Sequence, residues 1–81
     1  MKVQFTPQAK KDYSVLSPAI KRQADKQFNY LAKDIRHPSL QAKKYDEAND
    51  IWQARINKSW RFYFFIAGDT YWILRIVNHP K

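Results

Sequence analysis

From residue 52 onward the chain alternates. Trp52, Ala54 and Ile56 fall on one side of an extended segment, with Gln53 and Arg55 on the other. The pattern resumes with Trp60, Phe62, Phe64 and Ile66 against Arg61, Tyr63 and Phe65. A period of two assigns side chains to the two faces of a sheet, so these segments read as antiparallel strands with one half-buried face. The apolar side also sets the turn between them. A three-residue loop, Asn57-Lys58-Ser59, pairs Ile56 with Trp60 and keeps the apolar residues together. A two-residue loop would put Arg55 beside Trp60 and split the apolar set, which a half-buried sheet rejects. The three-residue loop sets Arg55 opposite Arg61 on the other face.

The next turn, Ala67-Gly68-Asp69, holds the only glycine and centres a second hairpin. Pairing Ile66 with Thr70 would place Phe62 opposite Leu74 and Arg61 opposite Arg75, giving a row of three arginines. Residues 71–77 are apolar on both sides, as in a central strand, so this register is set less firmly. Directly opposed like charges destabilise a sheet. An Arg55, Arg61, Arg75 row therefore needs acidic neighbours, for which Asp46, Glu47 and Asp50 are available, or an anionic ligand. Tyr63, Tyr71 and His79 share the parity of the arginines, and arginine pairs with phosphate bidentately, so an anion is the favoured reading.

Ahead of this sheet, residues 2–5 make a short strand with Val3 and Phe5 on one side. Thr6-Pro7 then supplies an N-cap and a proline at the first helical position. Ala9, Tyr13 and Leu16 line one face of a short helix. Ser17-Pro18 repeats the signal, and Ile20, Ala24, Phe28, Leu31 and Ile35 mark a longer helix. Its polar face carries Lys21, Arg22, Asp25, Lys26, Asn29 and Lys33, either as a solvated face with Lys21 and Asp25 paired or as a surface that tracks RNA. His37-Pro38 ends the helix; His37 is expected as a surface loop histidine. Residues 39–50 read as a polar connection with one apolar peg, Leu40 or Tyr45. The expected architecture is α+β: two N-terminal helices packed on a small, mainly antiparallel sheet of about four strands, in one domain spanning residues 1–81.

Eighty-one residues suffice for one compact core, and three Trp, five Tyr and five Phe make that core aromatic. Fifteen Lys plus Arg against seven Asp plus Glu give a formal charge of +8, which points to a nucleic acid or an acidic protein as partner. Half of that excess lies within residues 51–81, on the expected sheet. There is no cysteine, which excludes a disulfide framework and fits a reducing compartment. No stretch approaches the roughly 18 apolar residues of a membrane span, and the N-terminus lacks a signal-peptide core. A soluble, cytoplasmic protein with no membrane association is expected.

The order of elements, together with Trp52-Gln53-Ala54-Arg55, Trp60-Arg61-Phe62-Tyr63 and the closing Asn78-His79-Pro80-Lys81, resembles the RelE/ParE superfamily of toxins from bacterial type II toxin-antitoxin systems. The resemblance spans nearly the whole chain. It implies an endoribonuclease of the RelE type that cuts messenger RNA in the ribosomal A site, with the ribosome and mRNA as targets and a cognate antitoxin as partner. Cleavage by the RNA's own 2′-hydroxyl needs a base, cations for the charge on the phosphorane and an acid for the leaving oxygen, with no metal and no small-molecule cofactor. The resemblance carries the catalytic roles to Arg61, as the scissile-phosphate contact, to Arg55 on the preceding strand, and to His79 in proton transfer. Histidine suits that task with a pKa of about 6.5. Lys58, Arg75, Lys81, Lys43, Lys44 and Tyr63 are the expected RNA and phosphate contacts.

The chain departs from some relatives in two places. They carry two basic residues on the strand before Arg61, where this chain has Gln53 and Arg55; Lys58 in the turn stands in for the missing cation. They use a glutamate base in the link, where this chain has Lys43-Lys44 and later Glu47. Two other readings follow from the same residues: a ParE-like inhibitor of DNA gyrase, and a non-catalytic basic nucleic-acid-binding module. An antitoxin would cover the basic surface with an amphipathic, partly acidic segment anchored on Phe65 or Tyr71.

Overall fold

A computed structural model describes residues 1–78; His79, Pro80 and Lys81 lie outside the described residues. The elements are β1 (Lys2–Phe5), α1 (Pro7–Ser14), α2 (Pro18–Lys33), a 3-10 turn (Pro38–Leu40), β2 (Lys43–Asp46), β3 (Ile51–Arg55), β4 (Trp60–Ala67) and β5 (Thr70–Asn78). Both helices start where the cap signals place them. Thr6 Oγ1 accepts the amide of Ala9 at 3.2 Å and Ser17 Oγ that of Ile20 at 3.3 Å, which satisfies amides that have no partner inside the helix. The sheet runs β1-β5-β4-β3-β2. β1 is parallel to β5, and the other pairs are antiparallel.

The α+β architecture is as expected, with five strands rather than about four. The added strand is β2, from the segment read as a polar connection. Lys43 pairs with Gln53 and Lys44 with Trp52, and a bulge then puts Asp46 opposite Ile51. Edge strands are protected by charge and irregularity, so this one lacks the hydrophobic run that marks a strand. Leu40, fully buried, is the peg.

The β3–β4 register is the one the apolar face demands: Trp52 opposite Phe64, Ala54 opposite Phe62 and Arg55 opposite Arg61. The β4–β5 register differs. Ala67 pairs with Thr70 across a two-residue turn, Phe64 with Ile73, Tyr63 with Arg75 and Arg61 with Val77, leaving Leu74 as a bulge. Gly68, at φ 60°, takes the positive-φ position of the turn. The bulge has a packing reason. Tyr71 and Ile73 point into the core, and strict alternation would bring Arg75 in after them. The extra residue changes the parity, so that Ile76 is buried and Arg75 is exposed. The row of three arginines is thereby reduced to the Arg55–Arg61 pair, and Tyr71, 5% exposed, is core rather than a partner's anchor.

The core lies between the helices and one face of the sheet, with Ala9, Leu16, Ala24, Phe28 and Leu31 against Ala54, Phe62, Phe64, Ile73 and Ile76. Rings run through it edge to face. Phe5 meets Phe28 at 5.2 Å, Phe28 meets Phe62 at 5.0 Å and Phe64 meets Tyr71 at 5.6 Å. Each such pair adds about 0.5–1.5 kcal/mol beyond burial alone. On the outer side of α2, Asp25 accepts the Tyr13 hydroxyl at 2.9 Å and Lys21 lies over the Tyr13 ring. His37 stacks on Tyr30 at 3.7 Å.

One buried polar group ties the layers together. Gln27 Nε2 donates to the carbonyls of Arg55 at 2.9 Å and Ser39 at 3.0 Å, while Gln27 Oε1 accepts from Ser39 Oγ at 3.1 Å. Replacing Gln27 with Ala strands two carbonyls, each costing about 1–3 kcal/mol if left unsatisfied. Chemical denaturation of Gln27→Ala should show a loss in that range or above, and an unchanged midpoint would show that water replaces the amide without cost.

Candidate functional site

The sheet face turned away from the helices carries Lys43 and Tyr45 from β2, Gln53 and Arg55 from β3, Arg61 and Tyr63 from β4, and Arg75 from β5, all half-exposed or exposed. A cleft of about 290 Å³ opens on this face, lined by Gln41, Lys43, Gln53, Ala54, Arg55 and Arg61. Three of its six lining residues are cationic, and none is acidic.

Arg61 is held by the turn that precedes it. Its Nη1 donates to the carbonyls of Asn57 at 2.7 Å, Lys58 at 3.0 Å and Trp60 at 3.2 Å. The turn in turn is built by Asn57, whose Oδ1 accepts the amides of Ser59 at 2.8 Å and Trp60 at 2.9 Å. Asn57 Nδ2 donates to Gln23 on α2 at 2.6 Å. Among the described residues, Nε and Nη2 of Arg61 have no partner, and no carboxylate lies within ion-pair distance of Arg55 or Arg61. Two cations thus stand opposite each other, and the Nε and Nη2 edges of the held Arg61 are unspent. In a cleft this can bind a dianion or a phosphodiester.

Other predicted residues are placed apart from this pair. Lys44 points to the opposite side of β2, donates to Asp50 Oδ1 at 2.9 Å and caps the Trp52 ring at 5.2 Å. The hydrogen bond from Lys44 to Asp50, and the charges of Asp50 and Glu47, push its pKa up. Glu47 is 4.0 Å from the same ammonium and does not line the cleft. Asp46 accepts from Asn49. The acids available to offset the arginines are used elsewhere. Arg75 faces Tyr63, and its Nε donates to Asp12 Oδ2 at 2.8 Å, at the edge of β5. Lys58 is exposed in the turn and contributes its carbonyl to Arg61. Tyr63 Oη accepts from Gln53 Nε2 at 3.1 Å, one rung from the arginines. His79 and Lys81 fall outside the described residues. Sequence reasoning missed Gln27, Gln23 and Asn57 as positioning groups. Asn57 was open to recognition, because an asparagine that starts a tight loop commonly caps its own backbone.

Two predictions follow from these placements. Arg55→Gln removes an opposed like charge, so it should raise stability by about 0.2–1 kcal/mol in low salt. The gain should shrink as salt rises, read from melting midpoints at several ionic strengths; a loss of stability would mean Arg55 is held by a structural contact. Asp12 supplies the pH dependence. Its burial pushes the carboxyl pKa up, but hydrogen bonds from Arg75, the Ile76 amide and Gln8, with the Arg75 charge, outweigh this and hold it below the ordinary value. A depressed folded pKa stabilises at pH above the unfolded value of about 3.9 and is lost as pH falls through the folded one. Asp12→Asn should therefore be less stable than the parent at pH 6, and the gap should close below about pH 4.

No protein-family model and no curated protein sequence matches the chain. Solved structures do match. The YoeB/ParE toxin from Agrobacterium tumefaciens superposes with a TM-score of 0.83 at 14% identity, covering 99% of this chain and 100% of that one. RelE in the archaeal RelE-RelB complex from Pyrococcus horikoshii gives 0.81 at 16% identity over 99% and 96%. The RelBE2 toxin-antitoxin complex from Mycobacterium tuberculosis gives 0.79 at 24% identity over 99% and 92%. With two helices on one face of a five-stranded sheet and agreement over nearly the full length of each chain, this protein has the RelE/ParE fold.

Proposed function

We propose that the chain is the toxin of a type II toxin-antitoxin system and acts as a ribosome-dependent, RelE-type endoribonuclease that cuts messenger RNA in the A site. The observation that carries this is the Arg55–Arg61 rung in a cationic cleft that no acid among the described residues neutralises. Such a rung costs stability, and a bound phosphodiester offsets that cost.

In this reading the scissile phosphate lies against Arg55 and Arg61, with Lys43 at the flank and Lys58 and Lys81 as further phosphate contacts. Attack by the 2′-hydroxyl builds a dianionic phosphorane. Cations fixed before the reaction stabilise that charge more than the ground state, which is the larger part of such catalysis. The carbonyl contacts of Arg61 Nη1 supply the fixing. His79 serves in proton transfer at the leaving 5′-oxygen. Asn78, which precedes it in the sequence, pairs with Trp60, the neighbour of Arg61 in the chain. Among the described residues, the cleft lining contains no carboxylate to serve as base. With His79 assigned to the leaving oxygen, proton removal from the 2′-hydroxyl falls to solvent, and cation stabilisation carries more of the rate.

An antitoxin partner is part of the same reading, since the Pyrococcus and Mycobacterium neighbours were solved as toxin-antitoxin complexes. The partner would bring acidic residues to a chain of formal charge +8. Action on ribosomes places the protein in the cytoplasm. Among the described residues no helix is long and apolar enough to cross a membrane.

Primer extension on ribosome-bound messenger RNA should show new cuts with the wild-type chain. Arg61→Ala should lose them by about two orders of magnitude or more, as when one oxyanion donor is removed, with melting behaviour retained. Arrest of growth with intact RNA and broken double-stranded DNA would overturn this reading in favour of gyrase poisoning. RNA binding without cuts would leave a non-catalytic module.

A further inference from the structure

Tyr45 stands out because its surroundings do not account for it. It is the unpaired residue of the β2 bulge between Lys44 and Asp46, and such bulges re-aim a side chain out of the regular alternation. The ring is carried over the open face, with its centroid 4.9 Å from that of Tyr63 and a tilt of 59°. Yet Tyr45 is 62% exposed. A tyrosine kept only to cover Tyr63 would hide its own ring, and this one leaves most of it in water. Tyr63 is itself steadied by Gln53, and Gln53 also lines the cationic cleft. The aromatic rung Gln53–Tyr63 is the immediate neighbour of the Arg55–Arg61 rung. Same-face neighbours along a strand are about 7 Å apart, a span that one extended nucleotide bridges.

We propose that Tyr45, backed by Tyr63, is a stacking platform for a nucleobase of single-stranded RNA next to the phosphate held by Arg55 and Arg61; this rests on the RNA-cutting reading above. Backbone phosphate on a cationic rung and base on an exposed ring is the division of labour that single-strand binders use. The platform tolerates any base, because every base offers a π-face.

The test uses the full chain and two probes: a 2′-O-methyl oligoribonucleotide, which cannot be cut, and its counterpart with abasic sites at every position. Binding is followed by fluorescence anisotropy at one fixed salt concentration. Tyr45→Ala and Tyr45→Leu should weaken the base-bearing probe by about 5- to 150-fold, leave the abasic probe unchanged, and be rescued by Tyr45→Phe. Arg55→Gln should weaken both probes. The Leu variant keeps apolar area at this exposed position without a π-face, so it separates stacking from any loss of folding. Unchanged affinity in Tyr45→Ala, or equal losses on both probes, would overturn the platform and leave the RNA-cutting reading in place. Failure of the wild-type chain to bind the base-bearing probe would likewise overturn the platform, whereas the RNA-cutting reading stands or falls with the primer extension on ribosomes.

Discussion

Burying Ala54, Ile56, Phe62 and Phe64 on one side of the β3–β4 hairpin leaves Arg55 and Arg61 no choice but to meet on the other. Side-chain parity in a sheet is strict, so the core and the cationic rung are one decision made twice. The repulsion between the two guanidinium groups is modest, of order 0.2–1 kcal/mol. The aromatic core on the reverse face is worth many times that, and it sets the register. A charge arrangement that would be rejected on its own is carried by the packing behind it.

The scaffold then fixes where those charges sit. Gln27, buried on α2, holds the backbone of Arg55, and Asn57, tied to Gln23 on the same helix, builds the turn whose carbonyls hold Arg61. One helix thus ties the backbone of Arg55 and the turn that holds Arg61. The carboxylates in reach are drawn elsewhere: Asp50 and Glu47 to Lys44, Asp46 to Asn49, and Asp12 to Arg75. The result is a pair of opposed cations, with the Arg61 guanidinium held by its turn and the backbone of Arg55 held by Gln27, and with no carboxylate among the described residues paired to either; a cation held in advance stabilises a developing negative charge with little reorganisation.

The helices and the β3–β4 hairpin were legible in the sequence because each had an unambiguous local signal: a cap followed by proline, or apolar residues confined to one parity. Strand β2 was not, since Lys43, Lys44 and Asp46 give an edge strand no hydrophobic run to betray it. The β5 register was not either. With Tyr71 to Val77 apolar on both sides, only the three-dimensional need to keep Arg75 out and bring Ile76 in selects the bulge at Leu74. That bulge undoes the three-arginine row and hands Arg75 to Asp12. Gln27 and Gln23 carry no local signal, because their partners are 12 to 34 positions away. Tyr45 was legible only as a peg; its exposure on a bulge follows from pairing that the chain does not announce.

The face so assembled has a direction. Arginines lie toward the β3–β4 turn, tyrosines lie one rung further along, and Lys43 stands beside the boundary, which suits a strand of nucleic acid laid across β2, β3 and β4. The most direct test is a titration of the isotopically labelled chain with an uncleavable oligoribonucleotide, following the Nε–H resonances of its arginines by NMR. The expected result is that Arg55 and Arg61 shift together and saturate, while the Lys44 and Asp50 surroundings stay still. Shifts confined to the basic outer face of α2, around Lys21, Lys26 and Lys33, with the two arginines unmoved, would contradict it.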